Sequence, residues 1–148
     1  MSDVIFFCKT HDPYGEFSNF YPAQMLAGGK LWPTVEHLYQ AQKFLDPALR
    51  EKIRLLPSPM AAAIEGRNRA NPARPDWMEA RDPKMLSCLR LKYAQHPPIK
   101  ALLLATGERC IAELSYKDNY WGTRPDMSGV NRLGQLHMFL RHEFNQVI

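Results

Sequence analysis

One short predicted helix carries a carboxylate, an amide and an amine at helical spacing. Glu36, Gln40 and Lys43 stand at positions i, i+4 and i+7, which at about 100° per residue places them within an arc of about 60°. Tyr39 adds an aromatic ring at the edge of this stripe. Such a set suits acid–base work on a polar ligand, but it also fits an ordinary solvated face with a weak polar ladder. The spacing alone leaves both interpretations open.

A second candidate is the segment 116–122, which combines Asp118 with Tyr116, Tyr120 and Trp121. Aromatic faces stack on flat heterocycles, at about 1–3 kcal/mol per nucleic-acid base. An acid beside such a platform can act at a sugar. The alternative is a loop whose aromatic side chains simply cover the core.

Further candidates would bind rather than react. Asn19, next to Phe20, suits a hydrogen bond to a base edge or a ribose hydroxyl, or it forms an Asx-type turn. Arg67 and Lys84 belong to a basic stretch that suits a phosphate, because guanidinium and ammonium groups both bind phosphate oxygens. Surface charge is the competing interpretation for this stretch.

The first stripe depends on the helix that carries it. Thr34 is a natural N-cap, so we predict a helix from there to about Leu45. Val35, Leu38 and Leu45 lie on another side of that helix, and we expect them to face the core.

The rest of the chain predicts a helix-dominated α+β fold, a single domain over residues 1–148 with a small β-sheet. Prolines preceded by N-cap residues start several helices. The predicted elements are a strand at 4–9, a hairpin at 23–32, helices from 46 and 58, a helical turn at 76–81, helices at 82–95, 97–106 and 131–144, and a strand at 109–116.

Composition excludes several protein classes. Hydrophobic residues make up 45% and charged residues 23% of 148, which is typical of globular proteins. No apolar run approaches the roughly 20 residues of a membrane span, and residues 1–11 lack the features of a signal peptide. The three cysteines form no C-x-x-C pair, so we expect a cytoplasmic protein without a disulfide framework or a metal centre. The net charge of +4 suits a phosphate-bearing ligand without requiring one.

Taken together, these stretches resemble the YbiA-like, or NADAR, family of N-glycosidases. The matching stretches run in order from about residue 15 to 141, and their combination is far more specific than any one of them. They are FSNFYP (17–22), WPTVEHLYQAQKF (32–44), GR (66–67), RPDW (74–77), KM (84–85), KYAQ (92–95), LLATGERCIAE (103–113), DNYWG (118–122) and G-x-N-x-L-G (129–134).

The resemblance implies an enzyme that hydrolyses an N-glycosidic bond without metal or cofactor. Its implied substrates are phosphorylated ribosylamino-pyrimidine intermediates of riboflavin biosynthesis, cleaved into the base and ribose 5-phosphate. The expected catalytic residues are Glu36 and Asp118, meeting at the sugar carbon bonded to nitrogen, and Lys43, which either forms a Schiff base or positions other groups. The expected substrate-binding residues are Asn19, Phe20, Tyr39, Arg67, Lys84, Trp121 and Asn131.

Two other functions stay open at this point. The first is a glycohydrolase that removes ADP-ribose from guanine in DNA or RNA, which would make nucleic acid a partner. The second is a non-catalytic module that binds ADP-ribose or a nucleotide. We expect no membrane partner, and the oligomeric state is not predicted.

Overall fold

The computed structural model describes residues 3–146. These residues form two compact units, which we call the central unit, Asn19–Gln95, and the terminal unit, 3–18 with 96–146. The prediction of a single domain over 1–148 stays a prediction, and its outermost residues, 1–2 and 147–148, lie outside the described residues.

The central unit consists of a hairpin and four helices. Strands β2 (Met25–Ala27) and β3 (Lys30–Trp32) pair antiparallel, and Gly28 and Gly29 supply the positive φ angles of the turn between them, as predicted. The helices are α1 (Val35–Ala41), α2 (Pro47–Arg54), α3 (Pro59–Arg67) and α4 (Trp77–Gln95).

The terminal unit combines a parallel strand pair with two helices. Strand β1 (Ile5–Phe7) pairs with β4 (Ile111–Glu113) in register Ile5 to Ile111. A 3₁₀ turn, Gly15–Phe17, follows β1, and the helices are α5 (Pro97–Ala105) and α6 (Arg132–Asn145). The helix-dominated α+β class is therefore confirmed, although residues 3–146 contain two two-stranded sheets where we expected one.

The N-cap predictions for the central helices are confirmed. The side chains of Thr34, Asp46 and Ser58 accept hydrogen bonds from backbone N–H groups in the first turns of α1, α2 and α3. In α2 and α3 a proline follows the cap, where its missing N–H leaves no bond unmade.

Two helix boundaries differ from the prediction. Helix α4 runs through Pro83, where we predicted a new helix. A proline inside a helix costs about 3 kcal/mol, and here burial of Met85, Leu89 and Tyr93 on one face of α4 offsets that cost. Helix α1 ends at Ala41, so Leu45 lies beyond it and is 60% exposed; its predicted core position was wrong.

Candidate active site

The first turn of α1 is tied to the loop before the hairpin. The Thr34 hydroxyl accepts a hydrogen bond from the His37 backbone N–H at 3.2 Å, and the Asn19 carbonyl accepts one from the Glu36 N–H at 3.1 Å. Thr34 is the N-cap, so Glu36 falls in the first turn, where free N–H groups carry partial positive charge. This end of the helix therefore suits a carboxylate.

The polar stripe of α1 is buried. Glu36 and Gln40 are each 7% exposed, and Tyr39 is 6% exposed. Gln40 donates a hydrogen bond from Nε2 to Glu36 Oε2 at 2.8 Å. The solvated-face interpretation is therefore wrong, because these side chains are largely shielded from solvent. A buried carboxylate is costly unless nearby groups bind it, and the Gln40 amide does so for Glu36.

A glycine in α3 makes room for this stripe. A Cβ atom built on Gly66 would overlap the side-chain oxygen of Gln40, so α3 packs against Gln40 only because residue 66 has no side chain. The glycine of the GR stretch at 66–67 therefore leaves the space for the amide that holds the Glu36 carboxylate.

Lys43 follows the end of α1 and reaches the same glycine. Its Nζ donates a hydrogen bond to the Gly66 carbonyl at 2.8 Å. Burial lowers the pKa of Lys43, and the nearby charge of Arg67 lowers it further. A larger fraction of neutral amine at a given pH is the requirement for a nucleophilic lysine. Arg67 itself is exposed to solvent.

Tyr39 packs against an aromatic residue that the sequence did not single out. The rings of Tyr39 and Trp77 have centroids 5.3 Å apart at an interplanar angle of 47°. Burial strongly raises the pKa of Tyr39, and the charge of Glu36 raises it further, while Arg81 opposes the shift. The phenol hydroxyl therefore stays protonated and can act as a hydrogen-bond donor but not as a phenolate.

Helix α4 carries Lys84 and, one turn later, the buried Cys88. Burial raises the pKa of the Cys88 thiol to about 12, with the charge of Lys84 lowering it and that of Glu36 raising it. The thiol itself stays protonated and is a poor nucleophile.

Asn19 approaches α4 from the loop before the hairpin. Its Nδ2 donates to the Met85 sulfur at 3.5 Å, and the residue is 7% exposed. Phe20, the next residue, is half-buried. The central unit thus brings Glu36, Tyr39, Lys43 and Asn19 together on or beside α1, with Gln40 of the predicted stripe. Trp77 and Met85, which sequence reasoning did not select for the site, contact Tyr39 and Asn19. The charges of Arg67 and Lys84 act on Lys43 and Cys88.

The other predicted site residues belong to the terminal unit. Asp118 Oδ1 accepts hydrogen bonds from the backbone N–H groups of Tyr120 and Trp121, both at 2.9 Å, so the carboxylate closes an Asx-type turn. The rings of Tyr120 and Trp121 meet edge to face at 5.0 Å. Tyr116 is 64% exposed and does not cover a core.

Asn131 joins the start of α6 to β4. Its Oδ1 accepts from the Glu113 N–H at 3.1 Å, and its Nδ2 donates to the Ile111 carbonyl at 3.0 Å. The residue is 4% exposed and adopts a left-handed backbone with φ of 56°. Both atoms of this amide are thus engaged by the backbone, and a direct substrate contact of Asn131 stays a prediction.

Among residues 3–146, no group of three or more His, Cys, Asp or Glu side chains could hold a metal ion. Within the same residues, no helix is long and apolar enough to cross a membrane.

Comparison with known proteins identifies relatives along almost the whole chain. The sequence model of the NADAR domain matches residues 6–145. The N-glycosidase YbiA of Shigella boydii is 47% identical over 95% of this chain and 88% of its own length.

A more distant relative is the Riboflavin biosynthesis protein VVA0006 of Vibrio vulnificus, which is 36% identical over 99% of this chain and 40% of its own length. The NMR structure of Escherichia coli YbiA superimposes with a TM-score of 0.88 at 46% identity, covering 98% of this chain and 87% of the other. These matches confirm the resemblance on which the functional prediction depends.

Proposed function

This chain belongs to the NADAR-domain family and is an N-glycosidase, as its curated relatives are, and we propose that its substrates are phosphorylated ribosylamino-pyrimidines, the N-glycosides of riboflavin biosynthesis. The name of the Vibrio vulnificus relative, which aligns with 99% of this chain, supports this substrate class. The products would be the free aminopyrimidine and ribose 5-phosphate.

The observation that carries the proposal is the buried hydrogen bond between Gln40 and Glu36, 2.8 Å long. N-glycoside cleavage develops positive charge on the anomeric carbon, and a fixed carboxylate stabilises such a transition state. Gln40 holds the Glu36 carboxylate, and Gly66 leaves the space that Gln40 needs. The carboxylate is therefore already held in a fixed position before the substrate reacts.

In the overall reaction, the bond between the anomeric carbon and the amine nitrogen breaks. A water oxygen forms the new bond to that carbon, and one water proton ends on the departing amine. We assign Asp118 as the second carboxylate that serves this proton transfer, on the resemblance of DNYWG to the family motif.

Lys43 provides a second route to the same products. The ribosylamine ring first opens to an imine, as its C1–O bond breaks and the N–H proton moves to the ring oxygen. The neutral Lys43 amine then adds to C1, the amine of the base leaves with a proton from Nζ, and water hydrolyses the resulting Schiff base to restore the lysine. The lowered pKa of Lys43, caused by burial and by Arg67, supports this route.

The remaining predicted residues would bind the substrate. Lys84 and Arg67 supply positive charge for the phosphate. Tyr39, Phe20 and Trp121 offer aromatic surface for the heterocycle. We propose that Asn131 supports the substrate site, because it falls on a residue of the family motif.

The test is product analysis with three substrates: two ribosylamino-pyrimidine 5-phosphates, one with a pyrimidinone and one with a pyrimidinedione base, and ADP-ribosyl-guanosine. We expect equal amounts of free base and ribose 5-phosphate from the first two. Release of guanine-containing product from the third substrate alone would overturn the proposal in favour of an ADP-ribosyl glycohydrolase. Tight binding without any bond cleavage would indicate a binding module.

The role of Lys43 has its own test. Borohydride reduces a Schiff base to a stable secondary amine, so reduction during turnover followed by mass spectrometry should show a ribose phosphate adduct on the peptide that contains Lys43. A reaction that proceeds normally but leaves no adduct would support direct attack by water.

A further inference from the structure

The side-chain amide of Asn19 is buried, and only one of its two polar atoms forms a hydrogen bond among residues 3–146. Nδ2 donates to the Met85 sulfur at 3.5 Å. Oδ1 is buried and has no hydrogen-bond partner among residues 3–146. A buried carbonyl oxygen without a donor destabilises a fold, so native proteins seldom keep one without a reason.

Met85 determines which way this amide points. A thioether sulfur accepts hydrogen bonds weakly and cannot donate them, so it attracts the NH₂ end of the amide. Met85 is 1% exposed on α4, flanked by the buried residues Cys88 and Leu89. The sulfur is therefore held in place, and Oδ1 is the atom left for a further partner.

Asn19 is also joined to the residue that carries the proposed catalytic carboxylate. The Asn19 carbonyl accepts from the Glu36 N–H at 3.1 Å, so the two residues are bonded through their backbones. Asn19 therefore belongs to the same part of the central unit as Glu36.

We propose that Asn19 Oδ1 accepts a hydrogen bond from an N–H of the substrate's base, and that Met85 is the positioning residue that keeps this oxygen available. The inference rests on the proposed function, because the ligand must carry an aminated heterocycle. Met85 would then contribute to the enzyme's specificity for the base of the substrate. A base with an acceptor atom or an N-methyl group at that position would be disfavoured.

The experiment compares the parent ribosylamino-pyrimidine phosphate with analogues that carry one methyl group on a single base nitrogen. For at least one analogue, we expect the wild-type kcat/KM to fall by about tenfold or more, since a site built around a hydrogen bond rejects ligands that lack it. Asn19→Leu should lower kcat/KM for the parent and remove the preference against that analogue.

Met85→Leu is the sharper variant, because leucine keeps most of the volume and removes only the acceptor. It should weaken the preference for the parent substrate while the Tm stays close to that of the wild type. The matched control is Met78→Leu on the same helix, whose side chain is 66% exposed and which should change neither quantity.

Three results would overturn the inference while leaving the proposed function standing. In the first, Met85→Leu and Asn19→Leu lower kcat/KM equally for parent and analogue, which indicates a structural role. In the second, no analogue is discriminated. In the third, the variants change the preference for a deoxyribose analogue instead, which would identify a sugar hydroxyl as the donor. If the wild type releases no base from any of these substrates, both the proposed function and this inference fail.

Discussion

The two units hold the polar side chains of the predicted site in different ways. In the central unit, Glu36 is held by another side chain, Gln40, and Lys43 by a single backbone carbonyl. In the terminal unit, Asp118 and Asn131 are bonded to backbone N–H and C=O groups that shape the loop before α6. A motif residue can therefore recur because it reacts or because it shapes the backbone, and the two cases predict different mutant behaviour.

Gly66→Ala should cause a large loss of activity with little effect on backbone conformation. The added methyl group would displace the Gln40 amide, and a shift of about 1 Å in a catalytic group can cost about 100-fold in rate. Steady-state kinetics on the ribosylamine substrate would measure this loss. The matched control is Gly107→Ala in the terminal unit, where φ is +64° but nothing crowds the new Cβ.

For Gly107→Ala we expect the opposite pattern, a lower free energy of unfolding, by about 1 kcal/mol, with unchanged activity. Equal activity loss in both glycine variants would contradict the contrast between the units.

Asn131→Ala should show how far the terminal unit depends on its backbone contacts. The change leaves the part-buried Glu113 N–H and the buried Ile111 carbonyl without their Asn131 partner, at a cost of about 2–4 kcal/mol in the free energy of unfolding. Denaturant titration would measure it.

Asn131→Gly separates the lost hydrogen bonds from backbone strain. Glycine tolerates the φ of 56°, so this variant should be about 1 kcal/mol more stable than Asn131→Ala. Wild-type stability in Asn131→Ala would show that these hydrogen bonds contribute little.

Substitutions of Asp118 test whether its carboxylate has a structural or a catalytic role. Asparagine keeps an oxygen that can accept from Tyr120 and Trp121, so Asp118→Asn should change the free energy of unfolding by less than about 0.5 kcal/mol. If Asp118 is the second catalytic acid, turnover should nevertheless fall by about 100-fold.

Asp118→Ala completes this comparison. It should lose about 1 kcal/mol of stability as well, because no side-chain oxygen remains to close the turn. Normal turnover in Asp118→Asn would leave Asp118 with the structural role alone.

The smallest predicted effect is a pH dependence that comes from Lys43. Its pKa lies below the usual value near 10.5, so the neutral amine increases as pH rises toward and through that lowered value. If Lys43 is the nucleophile, kcat should rise with pH, by up to about tenfold per unit, and then level off below pH 10.5.

The same shift affects stability in a defined direction. Between the lowered pKa and 10.5 the unfolded chain binds more protons than the folded one, so the free energy of unfolding should rise with pH in this window. Lys43→Met should flatten both dependences. A kcat that does not change with pH in the wild type would indicate that Lys43 only positions other groups.

Much of the fold followed from local signals. The caps at Thr34, Asp46 and Ser58 and the Gly28-Gly29 turn were predictable because each acts within a few residues of itself. The early end of α1 and the passage of α4 through Pro83 were not, since both depend on tertiary packing that outweighs local preference.

The site was predictable only in part. Helical spacing singled out Glu36, Gln40 and Lys43. Residue chemistry singled out Asn19, Arg67 and Lys84, and the resemblance assigned the expected roles. Spacing gave no sign that the stripe would be buried, because burial depends on Gly66, which is 26 residues beyond Gln40 in the chain. The pairing of Asn19 with Met85 joins residues 66 apart and left no local signal.

The role of the buried carboxylate is best tested by the rate of base release in Glu36→Gln. Glutamine keeps the size of the side chain and its contact with Gln40 but cannot carry negative charge. We expect a loss of at least about 100-fold in kcat for the ribosylamino-pyrimidine phosphate, with a Tm near that of the wild type and normal activity in the exposed control Glu79→Gln. Undiminished base release by a folded Glu36→Gln enzyme would show that the reaction does not depend on this carboxylate.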